Sequence, residues 1–358
     1  MNKGQQHWIF GQSIKLFILK HKTIIDRRLI SWNAHLYSNK PDVPSVYYSN
    51  EVNQERESFV KNIGIVGCGL MGAGIASNLL KKDYHVHVFD INDELVQALT
   101  DKGAIGAGNI RTLAKLVDVM ILSLPAPSVI QRLMTNQEQG AFSVMKKGAY
   151  ILDMSTNDVA ITRQLHEIAK TYEIEYFDCP LSGGPEGAHN GTLTIMAGGS
   201  EQAFPEVLPV LEAVGENIEY VGESGAGQIV KLCHNMVVGG VITLLSEALI
   251  TGEKAGVSKE KIASILQNGS AQTRVMDVFG ANMLKDTFND VKFSLANMMK
   301  DMNLYRDLAE GQQIPTVSSQ SAHQLFQIAS YNGKNHKDST AVYEMIGQLR
   351  QVELLNKN

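Results

Sequence analysis

The stretch Ile63-Gly64-Ile65-Val66-Gly67-Cys68-Gly69-Leu70-Met71-Gly72 holds a short β-branched run that ends in the spacing G-x-G-x-x-G. In that spacing Gly67 makes a tight turn, Gly69 lets backbone N–H groups approach a pyrophosphate, and Gly72 lets the following helix pack close to the strand. The positive end of the helix then faces the phosphates. Val86-His87-Val88-Phe89 is a second strand-like run, separated from the first by a helix-length apolar pattern of Ile75, Leu79 and Leu80, so the segment reads as a βαβ unit. Asp90 closes the second strand at about the 20-residue offset where an acid accepts hydrogen bonds from an adenosine ribose. The chain continues Ile91-Asn92-Asp93 with no cation, so a 2′-phosphate would be repelled by Asp90. NAD is the expected cofactor and NADP the alternative.

Further along, Val119–Leu124 stops at Pro125, and Ala149–Asp153 stops at Ser155-Thr156; each is followed by a helix-like stretch, which continues a parallel sheet. Glu175–Asp178, Leu193–Ala197 and Ile218–Val221 read as later strands, and after Gly227 the strand signal ends. Ile229–Lys254 reads as one long helix, with others at Lys259–Gln267, Leu295–Glu310 and Ser319–Tyr331. The expected fold class is α/β: an N-terminal Rossmann-type doubly wound sheet over 61–223, then an all-α domain over 224–358 that starts with a long interdomain helix. Residues 1–60 read as an extension, disordered or transit-like: before Lys40, Asp26 is the single acid and Arg27 and Arg28 are the only arginines. The expected location is the cytoplasm, or the mitochondrion if that extension is a transit peptide.

At 358 residues, against about 150 per domain, the chain has room for two domains and a surplus. Hydrophobic residues at 44% supply a core, and 32 Lys+Arg against 37 Asp+Glu leave no basic field for a nucleic acid. The 3 cysteines, Cys68, Cys179 and Cys233, form no C-x-x-C pair and are too few for a disulfide framework, which points to a reducing compartment. No continuous apolar run nears the roughly 18 residues of a membrane helix, so a soluble protein is expected.

Two further stretches carry chemistry. Asp178–Thr194 is too glycine-dense for an ordinary element; its only charged residue between Ser182 and Thr194 is Glu186. Ser182, Gly183 and Gly184 can converge a hydroxyl and backbone N–H groups on a small anion such as a substrate carboxylate. In Gly225-Ala-Gly227-Gln-Ile-Val-Lys231-Leu-Cys-His-Asn235, Lys231 and Asn235 share a helical face by their i, i+4 spacing. Val230, Leu232, Val237 and Val238 are expected to make the surroundings apolar. Desolvation lowers a lysine pKa toward the range useful for proton transfer, so Lys231 is the candidate acid/base for a hydroxyl proton; the alternative is a snorkelling surface lysine.

These segments, with Gly187-Ala188, Gly191–Thr194 and Lys300-Asp301-Met302-Asn303-Leu304, together resemble the β-hydroxyacid dehydrogenase family, in its 3-hydroxyisobutyrate dehydrogenase-like group, from about Lys61 to about Leu349. The resemblance implies an NAD(P)-dependent dehydrogenase acting on CH–OH groups, with Lys231 as catalytic acid/base. It places the substrate carboxylate on Ser182, Gly183 and Gly184, with Asn235 orienting the substrate. It implies cofactor contacts at Gly67, Gly69, Leu70, Met71, Gly72, Asp90, Leu124, Pro125, Thr156 and Lys300, and no metal. A small carboxylate-bearing substrate and a homodimer or homotetramer are expected. His234 departs from the pattern, which commonly has asparagine there. The alternatives are an NADPH-dependent semialdehyde or glyoxylate reductase of the same family, an imine reductase, against which Lys231 counts, and a non-catalytic dinucleotide-binding module. His166, His189 and His323 are expected to be surface or loop residues, and Met298, Met299 and Met302 to pack a helix interface.

Overall fold

The computed structural model describes residues 61–355, with side chains to Leu349; the extension expected over 1–60 lies outside the described residues. The first segment alternates strand and helix: β1 (Asn62–Val66), α1 (Leu70–Leu80), β2 (His85–Phe89), α2 (Asp93–Thr100), β3 (Ile105–Gly106), α3 (Ile110–Leu116), β4 (Val119–Leu122), α4 (Pro127–Thr135), β5 (Tyr150–Asp153), α5 (Val159–Thr171) and β6 (Glu175–Asp178). Strands β1 to β6 pair in parallel, with Ile63 opposite both Val86 of β2 and Val119 of β4. Parallel strands are covered by helices on both faces and therefore read as unbroken apolar runs. In β4, Val119, Met120, Ile121 and Leu122 are all fully buried. The side chains of β1 divide between two apolar layers, Ile63 and Ile65 on one side and Val66 on the other.

Along the sheet the order is β3-β2-β1-β4-β5-β6. The chain winds outward from β1 in both directions, so the crevice at the carboxyl ends of β1 and β4 is the switch point where doubly wound sheets take ligands. The later strands depart from the parallel pattern. Strand β7 (Leu181–Ser182) is antiparallel to β8 (Leu193–Gly198), which is itself antiparallel to β6; β9 (Gly215–Gly222) runs parallel to β8. Between them the glycine-dense region is a folded unit, since Gly184–Asn190 forms a helix, α6, which closes at Gly191 in the left-handed conformation. It docks on α1: Asn78, 6% exposed, donates to Ala188 O at 2.7 Å and to His189 O at 3.2 Å. Helix α7 (Phe204–Glu212) completes this part.

All described elements after β9 are helical: α8 (Ala226–Lys254), α9 (Lys259–Asn268), α10 (Arg274–Lys285), α11 (Leu295–Gly311), α12 (Val317–Tyr331) and α13 (Ala341–Leu355). The fold is thus an α/β sheet followed by an all-α region. At about 1.5 Å per residue, the 29 residues of α8 span about 43 Å. By length and composition alone this helix could cross a bilayer, yet it is the axis on which α10, α11, α12 and α13 pack. Met298 and Met302 of α11 close over Gly239 of α8, where a Cβ would lie 3.1 Å from the Met302 sulfur; these methionines pack a helix interface as expected. Helices α10 and α13 have no counterpart in the sequence reading. The start of α10 is set by Thr273, whose hydroxyl accepts from Met276 N, but its signal is masked by Gly269, Ser270 and Gln272 just before it. Two histidines expected at the surface are buried, His166 against Tyr176 O at 3.1 Å and His323 against Asn303 at 2.7 Å.

Candidate active site

At the first turn after β1, the Gly67 amide donates to Phe89 O at 2.9 Å, and the chain enters α1 with no side chain capping its N-terminus. A Cβ on Gly72 would lie 1.9 Å from Gly67 O, so this approach of helix to strand tolerates only glycine. Gly69 is exposed, with nothing within 4 Å of where its Cβ would be. An uncapped helix end beside open space suits a pyrophosphate, which the N-terminal N–H groups would bind. Asp90 accepts from Cys68 N at 2.6 Å and from Asn92 N at 2.9 Å, which fixes its carboxylate at the rim of this loop. The apolar side chains of Leu70 and Ile91 stand exposed on the same rim, while Met71 is half-buried.

The second cluster begins where α8 starts. Asp178, at the end of β6, accepts from Gly225 N at 2.8 Å and Gln228 N at 2.9 Å and so caps the helix with a carboxylate. Burial pushes that carboxyl up to about 7 against the pull of these N–H donors. A Cβ on Gly227 would lie 2.4 Å from Met196 O, so the motif glycine lets α8 rest on the sheet backbone. One turn later Lys231 is 7% exposed. Burial lowers its ammonium from 10.5 to about 8; the Asp301 carboxylate opposes this and the Lys300 charge adds to it. No hydrogen bond or ion pair to other described residues holds that nitrogen.

The apolar setting of Lys231 is not the one expected. Val230 is 40% and Val237 55% exposed, because at about 100° per residue they lie about 100° and 120° around the helix from Lys231. The helix carrying the lysine instead packs on β8 and α11, and the charges that act on the buried amine, Asp301 and Lys300, belong to α11. From α11, Asp301 accepts from Asn235 Nδ2 at 2.5 Å and pairs with Lys300 at 2.8 Å, and Lys300 donates to Thr156 O at 2.8 Å. At the other end Asn235 Oδ1 meets His234 Nδ1 at 2.9 Å, and His234 Nε2 lies 3.4 Å from Ser182 Oγ. Ser182, Asn235, Lys300 and Thr156 therefore belong to one chain of hydrogen bonds, joined through the Asp301–Lys300 ion pair, beside Lys231. Gly183 and Gly184 follow Ser182 with φ of 129° and 62°. Leu124 joins through its amide, which donates to Ser155 Oγ at 2.9 Å; Pro125 is exposed beyond it.

Sequence reasoning missed three participants. Asp301 was visible only as a neighbour of Lys300, and His234 only as a departure from the family pattern, with no role attached. Gln228 is fully buried and clamps α8 to the loop after β5, accepting from Asn157 N at 2.9 Å and donating to Ser155 O at 2.9 Å. Its place three residues before Lys231, on the same face, was the available signal.

Residues 62–222 match the family described as the NAD binding domain of 6-phosphogluconate dehydrogenase, and residues 225–346 that described as NAD-binding of NADP-dependent 3-hydroxyisobutyrate dehydrogenase. The chain is 35% identical over 294 residues to a probable mitochondrial 3-hydroxyisobutyrate dehydrogenase of Dictyostelium discoideum, covering 80% of this chain and 91% of that one. It is 31% identical over 284 residues to the 2-hydroxy-3-oxopropionate reductase of Escherichia coli, covering 79% and 96%. The crystal structure of a 3-hydroxyisobutyrate dehydrogenase from Salmonella typhimurium superposes with a TM-score of 0.73 at 26% identity, covering 79% of this chain and 99% of that chain. With a nucleotide-binding sheet, a buried lysine at the start of the long helix and these relatives, the chain belongs to the β-hydroxyacid dehydrogenase family of NAD(P)-binding oxidoreductases.

Proposed function

We propose that this enzyme interconverts a small β-hydroxyacid of the 3-hydroxyisobutyrate type and its semialdehyde, preferring NAD, with Lys231 as the acid/base. The observation that carries this reading is the Lys231 amine, 7% exposed and held near 8 beside an unbroken chain of polar groups. Ser182, Gly183 and Gly184 receive the substrate carboxylate, and Asn235, fixed by Asp301 through Nδ2 and by His234 through Oδ1, orients the substrate. When bound, the nicotinamide ring takes or gives the hydride. Gly67, Gly69, Leu70, Met71 and Gly72 hold its pyrophosphate, Asp90 its ribose hydroxyls, and Leu124, Pro125, Thr156 and Lys300 the ring end. In oxidation the neutral Lys231 amine accepts the hydroxyl proton; in reduction its ammonium polarises the carbonyl and returns that proton.

A panel of small hydroxyacids and semialdehydes, assayed with each cofactor by the absorbance of the reduced ring, tests the reading. Turnover should appear with one carboxylate-bearing pair and be stronger with NAD(H). No turnover with any pair would leave the non-catalytic binding module standing. Stronger turnover with NADPH would favour the reductase reading, to which the description of the family matched by residues 225–346 points. A reporter fused behind residues 1–60 would separate cytoplasm from mitochondrion.

We also propose a homodimer or homotetramer built on α8. Val230, Cys233, Val237, Gly240 and Leu244 repeat at alternating steps of three and four on its outward face, with Val237 55% and Leu244 66% exposed. That spacing is the seam on which two helices pack.

A further inference from the structure

His234 is the member of the polar chain without a part in the reaction as described, and its proton positions follow from the ends of that chain. Asp301, ion-paired with Lys300, presents acceptors, so Asn235 turns Nδ2 toward it and leaves Oδ1 facing His234. An amide oxygen only accepts, which places the hydrogen of the neutral imidazole on Nδ1 and leaves Nε2 bare. The 3.4 Å contact with Ser182 is then one in which the serine hydroxyl donates to Nε2. Ser182 has a single hydrogen, and a substrate carboxylate needs it. A bond to a carboxylate is about twice as strong as one between neutral groups, so the hydroxyl turns to the substrate. Serine oxygen and bare Nε2 would then oppose lone pair to lone pair. The ring restores the contact by taking a proton from solvent at Nε2 and donating it to Ser182 Oγ.

We propose that His234 is a substrate-positioning residue that takes up one proton when a carboxylate settles on Ser182, locking the serine in its donating orientation. The inference rests on the proposed role of Ser182 as a carboxylate contact. Before substrate arrives, burial and then the Lys231 charge hold the imidazole below its ordinary value, and the Asn235 bond opposes them. Ser182 faces the ring from β7; Asp301 and Lys300 of α11 reach it only through Asn235. The arriving carboxylate supplies the negative charge that lets the ring become positive.

The test is calorimetric titration of 3-hydroxyisobutyrate into the enzyme saturated with reduced cofactor, NADH or NADPH according to which supports turnover, an unreactive pairing. It is run at about pH 6.5 in two buffers of different ionisation enthalpy. Lys231, near 8, is already an ammonium there and takes up nothing further. Uptake of about half a proton or more per site is expected, with affinity weakening several-fold toward about pH 7.5. His234→Gln places an amide donor where Nε2 stood, and should bind without proton uptake and with a flat pH dependence. Binding to the wild type with no proton uptake, or equal uptake by the glutamine variant, overturns the role of His234 alone. Absence of binding would remove the carboxylate site and both proposals with it.

Discussion

The nucleotide loop and the lysine centre are built in opposite ways. The loop is made of backbone: six consecutive residues, Gly67 to Gly72, whose shape depends on what glycine lacks, as in the 1.9 Å a Cβ on Gly72 would leave to Gly67 O. The lysine centre is made of side chains and carbonyls from α8, α11, β7 and the loop after β5, with partners separated by up to 144 residues, as between Lys300 and Thr156. A backbone site survives exchange of its neighbours, whereas a side-chain site fails when any member is lost.

Removing members in turn sharpens that contrast. Lys231→Ala should lower kcat by about 10²–10⁴-fold, the usual range for a positioned acid/base, while cofactor affinity measured by fluorescence titration stays unchanged. In the intact enzyme the oxidation rate should climb as pH rises through about 8, and the reduction rate should fall over the same interval, because burial sets the lysine there. A pH profile flat between about 6 and 10 would remove Lys231 from the proton transfer.

Gln228→Leu keeps the volume and deletes both bonds to the loop after β5. It should cut kcat by about 10-fold to 100-fold by displacing Thr156 and Lys231 relative to each other, with a smaller change in KM. A fall in melting temperature without a change in kcat would make it a structural residue only. Gly69→Ala puts a methyl into open space, so the fold should be unaffected. Cofactor binding should weaken roughly tenfold, equivalent to about 1.4 kcal/mol, as the methyl occupies the approach to the phosphates. Val237→Glu lies outside both centres; light scattering should report a smaller assembly.

The same contrast explains what could be read in advance. The loop, strands β1, β2, β4, β5 and β6 and the long helix were legible because glycine spacing and hydrophobic period are local properties of the chain, whereas the two residues of β3 are too few to carry a pattern. The face of Lys231 shared with Asn235 was legible for the same reason. The neighbours of that face were not: Val230 and Val237 are near in sequence but turn outward, and the charges that act on Lys231 come from Asp301 and Lys300 of α11. The reversal of β8 and β9 against the parallel sheet also left no trace in composition, since strand direction depends on how the chain returns. Asp178 appeared only as the end of a strand, although its carboxylate fixes where α8 begins.

That cap has a consequence for recombination. The last strand of the parallel run ends in the anion that neutralises the first turn of α8, so the α/β and helical segments share a seam that falls inside one residue's reach. Chimaeras joined between Gly222 and Gly225 would be sound only if the donor of the first segment brings its own acid at 178 and the donor of the second its own glycines at 225 and 227. Shuffling within this family therefore has a hidden crossover rule, and libraries that ignore it should be enriched in misfolded progeny.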